Sequence, residues 1–312
     1  FNDIELNTLQ YFGYVQNTFL WGDSVHAISS GVRVPYWDGN GQILVSPRVS
    51  YRWAPKWEKT TTFKFSTGLY QQPPFYRELR TDDGDLRSKV YAQKSLHFIG
   101  GITRLFYLWD RPFLFTSDFY HKVLWDIIPY DIDNVRLRYD PDRTGTAFAQ
   151  GVDFRVNGEF VKGTQSWFSV SYLRTREDIE GDGQGSVRRP TDQRINLGAY
   201  FEDHMLNDPT LRVYLNLVFG SGYPFGPPGR DDLRNAFSGD EYYRADLGLS
   251  KQFNFSINNF FNKVWIRLEV LNALAADNTL SYSWIEDVNG AQFAIPNSLS
   301  ARFLNLKLTA EL

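Results

Sequence analysis

The sequence predicts an all-β chain, an antiparallel transmembrane β-barrel wall with long extracellular loops and short periplasmic turns. Three observations lead there. Segment after segment alternates apolar and polar residues with a period of two, and the polar column is ionic almost every time. Aromatic residues are abundant, with 18 Tyr, 25 Phe and 9 Trp, yet mean hydropathy is -0.39 and no apolar run approaches the roughly 18 residues of a membrane helix. Finally, short and long connections alternate along the chain.

Taken in order, about thirteen segments are long enough for the ~9–11 residues that a tilted strand needs to cross a bilayer. They are 6–20, 24–36, 42–53, 59–70, 92–107, 112–128, 146–160, 165–176, 192–203, 210–220, 243–255, 264–277 and 300–312. The two-column code is cleanest in the later ones. Val152, Phe154 and Val156 oppose Asp153, Arg155 and Asn157; Ile195, Leu197, Ala199 and Phe201 oppose Arg194, Asn196 and Tyr200. Leu211, Val213, Leu215, Leu217 and Phe219 oppose Arg212, Tyr214 and Asn216; Ala245, Leu247 and Leu249 oppose Arg244, Asp246 and Ser250. The last strand sets Leu304, Leu306, Leu308, Ala310 and Leu312 against Asn305, Lys307, Thr309 and Glu311. Successive strand side chains point to opposite faces, so each such strand separates oil from water.

Short connections fall at 21–23, 54–58, 108–111, 161–164, 204–209 and 256–263, and long polar ones at 71–91, 129–145, 177–191, 221–242 and 278–299. The loop around 37–41 is the one short member of the second set. Trp21, Trp53, Trp57 and Trp109 sit on the short-turn side as an interfacial girdle, with Trp37 and Trp125 toward the other side. With a periplasmic C-terminus, an odd strand count makes the first and last strands run the same way. An antiparallel wall cannot close on itself in that state, so further strands are expected before Phe1 or from another chain.

Several stretches resemble the TonB-dependent outer-membrane receptors of Bacteroidota-type bacteria, the branch with a carboxypeptidase-regulatory-like N-terminal domain. They are GYVQNTF (13–19), SPRVSY (46–51), GLYQQPPFYREL (68–79), LWDIIPYDIDNVR (124–136), RPTDQRIN (189–196), GSGYPFGPP (220–228), YYRADLGLSK (242–251) and LEVLNAL (268–274). The resemblance spans nearly the whole chain in order. It implies the C-terminal part, about thirteen strands, of a barrel of about 22 strands filled by a plug. It further implies active uptake of a scarce ligand (siderophore, vitamin, oligosaccharide or peptide), with TonB acting through the plug region. The remaining strands, the plug, outer-membrane lipid and lipopolysaccharide are the implied partners, and a surface lipoprotein is a further one. Family barrels commonly end on Phe, whereas this chain ends at Leu312.

Candidate ligand contacts follow from where strands leave the membrane. Pro73 and Pro74 end strand pairing, because neither can donate to the ladder. Lys64, Ser66, Gly68 and Tyr70 then face the interior, and Tyr70, Gln71, Gln72, Tyr76 and Arg77 could reach a ligand; the other reading is a rigid corner packed by Phe75. Tyr223 and Phe225 lie in a Gly- and Pro-rich loop, and Trp284 with Phe293 in the last one; each reads as an aromatic contact for a sugar or flat ligand, or as turn framework. Arg188 and Arg189 read as an anion contact, for substrate or lipopolysaccharide phosphate, or as salt-bridge partners of nearby carboxylates.

Catalysis and cofactors find little footing. Asp178, Glu180, Asp182 and Gly183 mimic the start of a calcium loop, but Arg189 stands where the bidentate Glu belongs, so no metal is assigned. His26, His97, His121 and His204 are scattered, with neither HExxH nor GxSxG. The absence of Cys removes disulfides and thiolate zinc together, and a net charge of -3 excludes a nucleic-acid footprint. Two other function classes fit in part: a passive porin or structural outer-membrane protein, and a secreted soluble β-protein such as a lectin. An outer-membrane enzyme is the weakest reading, for want of a nucleophile and base.

Overall fold

The computed structural model describes residues 7–81, 84–87, 89–133, 136–205, 208–254, 262–298 and 301–311. Thirteen long strands run in sequential order as one antiparallel sheet. They are β1 (Gln10–Trp21), β2 (His26–Trp37), β3 (Ser46–Trp53), β4 (Thr61–Gln72), β5 (Gln93–Leu108), β6 (Arg111–Ile127) and β7 (Gly145–Gly158). There follow β8 (Ser166–Ile179), β9 (Ile195–Met205), β10 (Asp208–Gly220), β11 (Tyr242–Asn254), β12 (Lys263–Leu271) and β13 (Phe303–Glu311). Among the described residues each of these long strands pairs with its neighbours in that order, and β1 and β13 are the two edges of an open sheet. Two short segments, Gln42–Ile43 and Val187–Arg188, add to the loop ends of β2 and β8.

The registers bring like columns together. Between β12 and β13, Val264, Ile266, Leu268 and Val270 oppose Ala310, Leu308, Leu306 and Leu304, while Lys263, Arg267 and Glu269 oppose Glu311, Lys307 and Asn305 on the other face. The same parity carries through β9, β10 and β11, where Phe201, Leu215 and Leu247 share one apolar row. A one-residue slip anywhere would exchange oil for charge across the pair, so the alternation itself fixes the register.

Among the described residues no second layer covers the apolar column. Leu304, Leu306 and Leu308 are 71%, 71% and 69% exposed, whereas a soluble sandwich of this pattern would bury them against a facing sheet about 10 Å away. Lipid is the environment that accepts such a face. Buried side chains gather instead near strand ends and in the loops: Trp37, Leu44, Leu79, Ala92, Ile127, Ile128 and Ile179 toward the loops, and Phe113 on the turn side.

Strand ends depart from the sequence reading where local chemistry intervenes. The segment expected to run to 277 stops at Leu271. Asn272 takes a left-handed φ of 50°, and its amide holds both the N–H and the C=O of Ala276, closing a compact loop. The third predicted strand breaks at Leu44 and Val45, where the Leu44 side chain is buried and its N–H still donates to the Pro35 carbonyl at 2.9 Å. Trp37, read as an interfacial ring, is 2% exposed: the chain folds over it at Gly39, where a Cβ would come within 2.3 Å of the indole. Trp21, Trp57 and Trp109 remain exposed as a girdle requires. The turn joining β5 and β6 is a two-residue link, with Trp109 and Asp110 both left-handed (φ 54° and 55°), the twist that a tight hairpin demands. The predicted turn over 256–263 lies mostly outside the described residues.

Candidate functional site

The long connections are structured. Three carry hairpins of their own: Tyr130–Asp133 with Arg136–Tyr139, Pro224–Phe225 with Phe237–Ser238, and Thr279–Glu286 with Gln292–Ser298. Between them lies an open cavity of about 670 Å3, whose walls include Tyr223, Phe225, Tyr282, Trp284, Asp131 and Arg234. Its aromatic side is built from two loops. Phe225 stacks on Tyr282 with ring centroids 3.9 Å apart and 16° between planes, and Trp284 leans toward Phe225 at 6.1 Å. Tyr282 and Trp284 are two residues apart on one strand, which puts both rings on one face. Burial pushes the Tyr282 phenol up, so its hydroxyl stays a neutral hydrogen-bonding group beside the N–H of Asp240.

Most charges on the other side of the cavity are paired. Arg143 pairs with Asp140 at 2.5 Å and reaches Asp231 at 3.5 Å; Arg230 pairs with Asp232 at 2.6 Å. Asp142 is held by Arg87, which keeps its carboxyl below the usual carboxylate range. Beneath these lies a buried knot. Glu177, at the loop end of β8, accepts from Arg189 at 2.9 Å and from Arg234 at 2.6 Å, and Arg234 also reaches Asp131 at 3.2 Å. Beside it Asp192 takes Arg188 at 2.8 Å, Arg194 at 2.9 Å and the Thr175 N–H at 2.7 Å. Arg188 donates onward to Ser238 at 2.7 Å, and its carbonyl accepts from Asn235 at 2.8 Å. Three loops that are remote in sequence are thereby tied to one strand end.

The sequence-predicted residues divide among these surroundings. Tyr223, Phe225 and Trp284 come together on the cavity. Arg188 and Arg189 do not face it as free cations; each is committed to a carboxylate of the knot. Tyr70 lies on the polar face of β4, with the Arg48 guanidinium 4.3 Å above its ring and His97 stacked at 4.2 Å. Gln71 donates to the Val45 carbonyl at 2.5 Å, and Gln72 ends the strand exposed. Tyr76 and Arg77 sit exposed on a single 3-10 turn, Tyr76–Leu79, anchored from below by buried Leu79 and Glu78. Glu78 accepts from the Phe75 N–H at 3.1 Å and from Gln93 at 2.8 Å, while Phe75 meets Tyr139 edge-on at 5.8 Å. Glu78 thus ties the turn to Phe75 and Gln93, with Tyr76 and Arg77 projecting from it. In the calcium-like stretch, Asp182 accepts from the Gln184 N–H at 2.9 Å, an ordinary turn contact.

The sequence alone does not single out Tyr282, Asp131, Glu177 or Arg234. Tyr282 was within reach, since Ser-Tyr-Ser-Trp already shows a period of two. The Glu177–Arg234 pair spans 57 residues and left no local signal.

No family model matches the sequence, and no curated protein does. Solved structures do match. The ferric-catecholate import receptor Fiu from E. coli K12 superposes with a TM-score of 0.68 at 14% identity, over 97% of this chain and 45% of that one. The ferripyoverdine receptor of the outer membrane of Pseudomonas aeruginosa gives 0.64 at 14%, over 96% and 38%. BauA, the ferric preacinetobactin receptor from Acinetobacter baumannii, gives 0.63 at 13%, over 96% and 42%. The chain thus spans less than half the length of these outer-membrane receptors. At such identities the likeness establishes the fold: this chain has the strand architecture of their barrels.

Proposed function

We propose that this chain forms part of the wall and outer loops of a Gram-negative outer-membrane transporter that takes up a scarce ligand in a TonB-dependent manner. The observation that carries the reading is the convergence of Tyr223, Phe225, Tyr282 and Trp284 from two loops onto one cavity at the loop end of a membrane wall. Aromatic rings offer large contact area at low cost in side-chain entropy, and their hydroxyl and indole groups add directional hydrogen bonds. Because most of the charged groups around them pair with one another, selection rests largely on ring contact. The polar face of the wall supplies a hydrated route inward. The work of transport falls to TonB acting on receptor segments outside this chain, and the chain itself contributes shape and contacts without covalent chemistry.

The test uses the intact receptor in outer membranes. Cells with and without energised TonB are offered a labelled panel of ferric siderophores, cobalamin, oligosaccharides and oligopeptides. One class should accumulate only in energised cells, and the Phe225→Ala/Trp284→Ala double variant should bind it at least about tenfold more weakly at unchanged surface display. Accumulation independent of TonB would favour a porin. Unchanged binding by the double variant would remove the cavity from the account.

A further inference from the structure

The outward face of the wall changes character at one place. On β9 to β13 the outward column stays apolar to its loop end, reached at Ile195, Phe219, Tyr243, Val270 and Leu304. On β8 it turns basic. Phe168, Val170 and Tyr172 are followed on the same face by Arg174 and Arg176. The register with β7 fixes that face: Tyr172 opposes Val152 of the apolar column, and Arg174 and Arg176 oppose Gln150 and Phe148 further toward the loops. Because β7 and β9 flank β8 on its two sides and this face looks away from the barrel interior, membrane and their own neighbours surround the two arginines, not a plug or a further strand.

Among the described residues neither arginine pairs with a carboxylate; Asp178, next on the same column, is exposed and engages neither. Both are nevertheless held in place. Arg174 lies 5.8 Å from the centre of the Phe148 ring, and that ring also stacks on His121 at 6.5 Å. His121, Gln150 and Arg174 form one row across β6, β7 and β8. Arg176 is braced to the loop above, donating to Ser186 Oγ at 3.2 Å and to the Ser186 carbonyl. The Nε of Arg174 has no acceptor among the described residues.

A guanidinium at the edge of hydrocarbon needs water or a counter-ion, and its planar fork suits the paired oxygens of a phosphate. Directly below, toward the turns, Phe119, Phe154, Phe168 and Tyr172 are exposed on the same face and offer contact for acyl chains. Cationic forks over an aromatic apolar floor have the polarity of a lipid standing in its leaflet, headgroup phosphate above and chains beneath. We propose that the outward face of β6 to β8 binds a phosphate-bearing lipid of the outer leaflet, with Arg174 and Arg176 on its phosphate and His121 and Gln150 beside them. This site rests on the outer-membrane reading of the wall and holds whichever ligand the outer cavity takes.

The detergent-purified intact receptor, titrated with fluorescently labelled lipopolysaccharide in mixed micelles without TonB or a transport ligand, tests this. Binding should saturate and weaken with added sodium chloride. Arg174→Gln should weaken it about fivefold or more; should that variant not fold, Arg176→Gln carries the same expectation. Arg155→Gln, an equal charge change on the inward face of β7, should alter it less than about twofold. Chemically dephosphorylated lipopolysaccharide should bind the wild type about tenfold more weakly. Excess inorganic phosphate lacks the acyl contacts and should not displace the lipid; full displacement would mean a free-anion site and overturn the lipid assignment. Equal binding of the dephosphorylated lipid, or equal weakening by Arg155→Gln and Arg174→Gln, overturns the proposal as well. Folded wild-type receptor that binds no lipid saturably does so too, and leaves the transport reading untouched.

Discussion

Replacing Glu177 by Gln probes the knot beneath the outer loops. Its side chain is fully buried and accepts from Arg189 at 2.9 Å and Arg234 at 2.6 Å, and Arg234 is itself 8% exposed. Glutamine keeps the volume but removes the charge that the buried Arg234 and the half-buried Arg189 share. Breaking a buried pair from one side costs about 3–5 kcal/mol, because the surviving cation is left in a low dielectric without its counter-ion. Asp131 remains 3.2 Å from Arg234 and compensates in part, which places the expectation at about 3 kcal/mol. That is on the order of a hundredfold in the opening equilibrium of the loops tied to Glu177. Hydrogen exchange of the detergent-solubilised receptor should show faster exchange in the segments around Tyr130, Arg188 and Arg234, with the mid-wall strands unchanged. The triple replacement Glu177→Leu/Arg189→Met/Arg234→Met should recover most of the protection, since apolar side chains of similar volume leave neither guanidinium without its carboxylate. Loop exchange within about twofold of wild type in Glu177→Gln would refute the reasoning, as would a triple variant worse than the single one.

The two faces of β13 give a second expectation: Leu306→Arg on the apolar face should destabilise the folded receptor in lipid by about 2–4 kcal/mol, whereas Lys307→Leu on the polar face should change it by less than about 1 kcal/mol, both read from urea unfolding in vesicles. Burial raises the Glu78 carboxyl above its ordinary value. An acid with a raised folded-state value binds its proton more readily when folded, so its contribution to stability is best below the ordinary value of 4.5 and declines as pH rises through the folded value. Thermal unfolding between pH 4 and pH 7 should show this decline, and Glu78→Gln should flatten it; an unchanged slope would argue against it. At the β5–β6 turn, Trp109→Asn with Asp110→Gly should stabilise by about 1 kcal/mol, because those residues adopt left-handed φ at less strain, and an unchanged urea midpoint would count against that turn geometry.

Much of this architecture was legible because a membrane wall imposes its rule locally. The columns of 211–219, 245–249 and 304–310 assign every side chain to oil or water without reference to any distant residue, and they agree with the observed registers. Legibility failed where a side chain met something remote. Trp37 reads as an interfacial ring until the chain folds over it at Gly39. The alternation of Leu274 and Ala276 continues past Leu271, but the Asn272 amide has already closed the loop. Arg188 and Arg189 read as ligand contacts or, more ordinarily, as salt-bridge partners, and only the fold shows which carboxylates, Asp192 and Glu177, they meet.

What the sequence determined by itself was the wall: strand number, order, faces and the alternation of turns with loops. Each follows from period-two patterning and short-range turn chemistry, which act over a few residues. What only the tertiary structure decided was how the loops pack over its end. The meeting of Phe225 with Tyr282, of Arg234 with Glu177, and of Arg48 with Tyr70 joins residues between 22 and 57 positions apart. Such contacts are set by which side chains the folded strands carry into reach of one another, and no local pattern in the chain records them.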